Sequence, residues 1–465
     1  KRSIPVSQNP GGPASRRAGG PGGGRLSLAP AGENSDIHRM SERLERALGL
    51  PGATFVGLGS ILGTGVFVSL GIAAGITGPS VVLAVILAAV VATANALSSA
   101  QLAAAHPVSG GTYEYGYRFL KPAAGFGAGW MFLVAKSASA ATAALGFAGY
   151  ALSLLYPGAL ESMQTVVALL LVAAVTAVVA AGVRRTMTVN VVIVSVTLLS
   201  LIAFLAIALP FLEVDRFSPF FTPEEGRTGL GGLLYAAALS FVAYTGYGRI
   251  ATLGEEVRDP RRTIPKAVIT TISITMVIYI LVAAAGVGTL GANGMAIMTE
   301  QTGAPLEVAA GSLIGAPGRI VLALGAVTAM VGVLLNLILG LSRVLLAMGR
   351  RGDMPAIFAR VSRNTPLPAV LTMGTVVFAI VLVGDVRLTW SFSAVTVLIY
   401  YAITNAAALA LSDSSRLYPK WISWLGLFGC LSLAAFVDPE ILIAAAGVLF
   451  FGFLWYALRH GKEAR

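Results

Sequence analysis

Charge is scarce in this chain. Asp, Glu, Lys and Arg together make up 11% of the residues, against roughly 25% in soluble globular domains. Cysteine is nearly absent as well: Cys430 stands alone, which excludes an internal disulfide framework. The three histidines, His38, His106 and His460, are too far apart for a local metal motif. No HExxH, phosphate loop or GxSxG elbow occurs, so the expectation is no metal, no cofactor and no enzyme. The glycines between Gly57 and Gly65 have the wrong spacing for a dinucleotide fingerprint and sit inside an apolar run.

What fills the chain instead is apolar: 56% hydrophobic residues. About 20 such residues at 1.5 Å each span a ~30 Å hydrocarbon core. Twelve stretches fit, at 53–77, 80–104, 124–153, 164–183, 189–211, 230–253, 267–290, 317–348, 368–384, 388–411, 421–437 and 440–458. The expectation is an all-α polytopic membrane protein. Residues 1–40 form a basic Gly/Pro-rich tail without a packing pattern, read as disordered, whose composition also fits an organellar targeting segment. Residues 41–458 are the membrane domain, Ser41–Leu50 an amphipathic lead-in helix, and 459–465 a short tail.

The net charge of +11 could suggest nucleic acid. Its distribution argues for membrane orientation instead. With the amino terminus inside, only Arg216, Arg227, Arg319 and Arg387 fall on the outer side, and the other loop cations lie inside. The positive-inside rule then puts both termini on the cytoplasmic side, with membrane lipid as a partner and nucleic acid excluded. The plasma membrane is the first expectation, a chloroplast or other organelle membrane the second.

The first and sixth stretches differ from the rest. Gly63-Thr64-Gly65 punctures one, and Gly246 and Gly248 the other. Glycine costs a helix roughly 1 kcal/mol relative to alanine, and unwound backbone is tolerated in hydrocarbon only where protein buries it or a cavity receives it. The broken stretches lie five apart, an odd offset that reverses the direction of crossing. Residues 53–211 and 230–411 therefore read as a five-plus-five inverted repeat with helices 1 and 6 discontinuous, and 421–458 as two peripheral helices. Glycines used only for close helix packing are the plainer alternative.

Four motifs carry a family likeness: GSILGTGVF at Gly59–Phe67, PVSGGTYEYGY at Pro107–Tyr117, the run Phe241–Val268, and SRVLLAMGRRGDMP at Ser342–Pro355. In this order they resemble the amino acid, polyamine and organocation (APC) transporter superfamily. The likeness covers roughly Met40 to Leu411 and implies the LeuT-type inverted-repeat fold and amino acid transport.

Free N–H groups at Gly63, Thr64 and Gly65 would attract a carboxylate. The carbonyls of Ser60, Ile61 and Leu62, with those of Val242, Ala243 and Tyr244, would accept an ammonium group. Together they describe an α-amino acid, and the resemblance implies the same positions. Thr64 is also read as capping the half-helix that follows. Ser137 and Tyr244 are expected as pocket walls. Some relatives that handle cations carry an acidic residue at the position of Gly248, and no Asp or Glu lies mid-span here. A cationic side chain would lack a partner. Neutral amino acids are therefore expected; cationic amino acids or polyamines, and a sensor that binds without transporting, are the alternatives.

Lys136, about twelve residues into the third stretch, is expected to exchange a proton during the cycle or to supply the positive charge that sodium supplies in related folds, because a buried ammonium is costly and by default functional. The resemblance implies a lysine in the fifth helix for this purpose, but Thr197 stands at that position. A sodium scheme would use span-1 carbonyls and a hydroxyl of span 8, for which Thr328 is the candidate. Arg249, just past the second break, is read as a vestibule charge or as a partner for Glu114.

Overall fold

The computed structural model describes residues 48–107, 110–156, 160–182, 187–251, 257–362 and 365–460. The expectations for the tail 1–40 and for most of the Ser41–Leu50 helix lie outside the described residues.

The described chain is helical, with no strand beyond two isolated bridges. It begins with α1 (Leu50–Ile61), an interruption, a π-helical turn at Gly65–Ser69 and α2 (Leu70–Thr77). Then come α3 (Val81–Ala105), α4 (Thr112–Phe119), α5 (Pro122–Leu155), α6 (Leu160–Ala180) and α7 (Met187–Ala208). A second interrupted segment follows: α8 (Gly229–Tyr244), a 3-10 turn at Thr245–Tyr247 and α9 (Gly248–Ala251). The remainder is α10 (Pro260–Thr302), α11 (Pro305–Ile314), α12 (Ala316–Arg351), α13 (Leu367–Val383), α14 (Val386–Leu409), α15 (Lys420–Ala435) and α16 (Pro439–His460). The described residues of the twelve apolar stretches lie almost wholly on these helices. Among the described residues nine helical segments are long and apolar enough to cross a membrane, while α1, α11, α13 and α15 are shorter.

Helix starts follow local chemistry. Pro51, Pro122, Pro260 and Pro305 occupy first-turn positions, where a missing N–H costs nothing. Thr228 and Asp385 cap α8 and α14 by accepting from the N–H groups of Gly231 and Leu388. Pro51-Gly52 lies inside the first turn of α1. The helix of the seventh stretch breaks after 290, at Gly291, whose φ of 74° only glycine adopts without strain; helix then resumes to Thr302. The last helix extends through Arg459 and His460.

Burial sorts the helices. The most apolar window is 78% buried in α5 and 72% in both α8–α9 and α14, against 17% in α16, so the first three are central and α16 faces outward. Two apolar cores result. One is built largely from α1 to α3, α8, α10 and α14, the other from α5, α6, α12 and α13. Several helices that lie five apolar stretches apart are packing neighbours: α3 with α10, α5 with α12, α6 with α13, and α1 with the turn after α8.

At one end of the bundle two of the sequence motifs converge on Asp353, which is fully buried. Its carboxylate accepts from the Tyr113 hydroxyl at 2.7 Å and the Tyr117 hydroxyl at 2.8 Å, both on α4. Burial first, then the adjacent carboxylate, raises both phenols well above their usual range, so they remain donors. The last helix closes the cluster: Trp455 donates to the Asp353 carbonyl at 2.9 Å, Arg459 to the Gly352 carbonyl, and His460 stands 3.5 Å from the carboxylate. Arg351 pairs with Glu114 at 2.6 Å and lies over the Tyr117 ring. Glu114 is thus engaged by Arg351 in this arrangement.

Candidate functional site

Helix α1 ends because Leu62 is extended, with φ −70° and ψ 110°. Its N–H still reaches the Leu58 carbonyl at 2.8 Å, but the N–H groups of Gly63, Thr64 and Gly65 have no acceptor among the described backbone bonds. Backbone pairing resumes only with Val66 and Phe67, which both donate to the Gly63 carbonyl. The result is a short row of unpaired donors at the start of a helical segment, buried inside protein. Thr64 does not cap that segment. Its hydroxyl makes no cap bond and, though buried, has no partner among the described residues.

The second interruption lies against the first. A Cβ on Gly246 would overlap the carbonyl of Ser60 and come within 2.6 Å of the Ile61 nitrogen, so only glycine allows this approach. Gly65 makes the reciprocal contact: its Cβ would stand 2.7 Å from Cα of Ala243. Gly63 faces Val333 of α12. The two breaks are therefore in backbone contact.

Several of the carbonyls assigned to an ammonium already have donors. The Tyr279 hydroxyl, on α10, reaches the Ile61 carbonyl at 3.0 Å and the Ala243 carbonyl at 3.3 Å. The Val242 carbonyl accepts from the Thr245 hydroxyl at 2.8 Å. The Ser60 hydroxyl turns back to Val56, and its carbonyl meets Gly246. Asn336 of α12 donates to the Gly59 carbonyl at 3.3 Å. Tyr244 does not project freely: its hydroxyl contacts the Val85 carbonyl of α3 at 3.4 Å, and its ring lies 5.0 Å from that of Tyr279.

Lys136 is buried on α5, and its ammonium donates to the Thr245 hydroxyl at 2.8 Å. The Thr245 carbonyl accepts from the Tyr401 hydroxyl of α14 at 3.0 Å. No carboxylate is in ion-pair range of Lys136 among the described residues. Ser137 buries a hydroxyl without a partner among the described residues, as does Ser240 on α8. Gly248 faces the Tyr401 hydroxyl, which would lie 3.0 Å from a Cβ there. Thr328 is half-buried on α12, and no described hydrogen bond joins it to either break. Arg249 is half-buried on α9.

Tyr279, Thr245, Tyr401 and Asn336 were not anticipated from sequence. Tyr279 and Asn336 carry a readable signal, a lone polar side chain in an apolar stretch, although their partners are backbone atoms that no pattern marks. A surface cavity of about 470 Å³ lies elsewhere, lined in part by Ser153, Tyr156, Gln301 and Arg319.

Chemically, the paired breaks offer unpaired N–H groups for an anion, carbonyl oxygens for a cation, and one ammonium close by. The profile of the amino acid permease family matches residues 52–463. The chain is 40% identical to an uncharacterized transporter of Mycobacterium tuberculosis, over 91% of this chain and 93% of that one. It is 28% identical to a branched-chain amino acid permease of Bacillus subtilis, covering 75% and 76%. It is 26% identical to a vacuolar cationic amino acid transporter of Arabidopsis thaliana, covering 75% and 59%.

Proposed function

Since the chain belongs to the amino acid permease family and is an integral multi-pass membrane protein, we propose that it carries neutral amino acids across the bilayer by alternating access, with the paired breaks as the substrate site. One observation carries this reading: the interruptions at Leu62–Thr64 and Thr245–Tyr247 meet where Gly246 packs on the Ser60 carbonyl. A carboxylate fits the N–H row of Gly63, Thr64 and Gly65, and an ammonium fits the carbonyls around Ile61 and Ala243.

The pairing of α3 with α10, α5 with α12 and α6 with α13 supports a five-plus-five inverted repeat of twelve crossings. Neutral side chains are favoured because the site holds an ammonium, Lys136, and no described carboxylate near it. The name of the Bacillus permease agrees with this preference, and that of the Arabidopsis transporter marks the cationic alternative. Lys136 is the proposed proton-coupling group. Asn336, by filling the Gly59 carbonyl with an amide donor, weighs against sodium at that carbonyl and against a role for Thr328.

The test is flux into proteoliposomes with imposed gradients. Accumulation of neutral amino acids driven by a pH gradient is the expected result. Saturable binding without accumulation would make the protein a sensor, and preferential uptake of arginine or lysine would overturn the neutral assignment.

A further inference from the structure

We infer that Tyr279 is a positioning residue that competes with the substrate's ammonium group for the carbonyls of the two broken helices. The inference rests on the substrate site proposed above. Tyr279 is fully buried, and its hydroxyl lies 3.0 Å from the Ile61 carbonyl and 3.3 Å from the Ala243 carbonyl. A phenol has one proton, so the two acceptors share it; an ammonium brings three donors. Among the described side chains, this hydroxyl alone hydrogen-bonds to both interruptions.

The consequence is thermodynamic. In the empty carrier, Tyr279 gives the buried Ile61 and Ala243 carbonyls a shared donor, which stabilises that state. An arriving ammonium has to displace the phenol from at least one of them, so part of its hydrogen-bonding gain offsets a bond already made. Release reverses the exchange, since the phenol is in place to recover the carbonyl. Tyr279 therefore weakens binding and speeds turnover. A tyrosine that merely held the helices in register would do the opposite, because its loss would disorder the site and weaken binding.

Phenylalanine is the informative replacement. The ring is held independently by the Tyr244 ring at 5.0 Å, so Tyr279→Phe removes the hydroxyl and leaves the packing. The experiment measures uptake in proteoliposomes of whichever radiolabelled amino acid the wild type accumulates from a panel of twenty, with the corresponding des-amino carboxylic acid as competitor. Tyr279→Phe is expected to lower KM by about tenfold, the value of one hydrogen bond, and to lower kcat with it. The inhibition constant of the des-amino acid should not move, because that compound has no ammonium to compete. Tyr279→Met, a second hydroxyl-free variant, should shift KM in the same direction.

An unchanged or raised KM, or an equal shift for the des-amino acid, overturns the competition. So does loss of the folded state in both variants, which would make the hydroxyl a structural tie. Failure of the wild type to accumulate any of the twenty overturns the transport reading itself.

Discussion

The ammonium of Lys136 donates to the hydroxyl of Thr245 at 2.8 Å, joining the single cation of α5 to the turn that interrupts the sixth apolar segment. A charge in the low-dielectric interior that is tied to one half of a proposed substrate site has a direct route to influence it. Under the proposed coupling role, deprotonation of Lys136 would let the lysine amine accept from the Thr245 hydroxyl, which now accepts from it.

Lys136→Gln preserves a donor for Thr245 and removes the titrating group. Gradient-driven accumulation is expected to fall by at least about tenfold, while exchange at equal pH on both sides persists. Uptake measured with and without an imposed pH gradient decides the matter, and proton coupling that survives in the variant refutes the assignment.

Two glycines of the second break should respond differently to the same change. In Gly246→Ala the new methyl meets backbone, the Ser60 carbonyl, which cannot rotate away. A cost of about 1–3 kcal/mol is expected, together with loss of more than nine-tenths of uptake. In Gly248→Ala the methyl meets the end of the Tyr401 side chain at 3.0 Å. That hydroxyl can shift, and uptake should stay within about threefold of wild type. Comparable losses in the two variants would show that contact of the breaks is not what matters.

Glu307 supplies a pH test away from the substrate site. It is wholly buried on α11, bonded to Arg319 at 2.9 Å and Ser153 at 3.2 Å, with its second carboxylate oxygen unpartnered among the described residues. Burial raises its pKa more than Arg319 and Ser153 lower it. The folded chain therefore keeps this proton to a higher pH than the unfolded chain does. Its stabilising contribution is complete below the unfolded value of about 4.3 and is lost as pH rises through the folded value. Glu307→Gln should flatten that part of the profile. Melting temperatures between about pH 4 and 7 test it, and parallel profiles for variant and wild type would dismiss the effect.

The sequence shows where the helices break better than it shows what the breaks touch. Gly63, Gly65 and Gly246 stand out because glycine is expensive in a helix, and the structure interrupts both segments at those positions. The carbonyl partners were not legible. Whether Ile61 or Ala243 is free depends on the rotation of α10, and one residue of register, about 100° of helix, would carry the Tyr279 hydroxyl elsewhere. Tyr244 illustrates the same limit: its position beside the break is evident from the sequence, but its direction toward Val85 is not. The helix α11 was missed because Pro305–Ile314 is too short to span and lies between two longer apolar runs. Asp353 was hidden for another reason: its donors, Tyr113 and Tyr117, lie more than 230 residues earlier in the chain.

The bonds from Trp455 and Arg459 to the carbonyls of Asp353 and Gly352 also set an order of assembly. Tyr113 and Tyr117, the other donors to Asp353, are made more than 330 positions before Trp455. A chain stopped short of Trp455 would leave those two carbonyls without their donors.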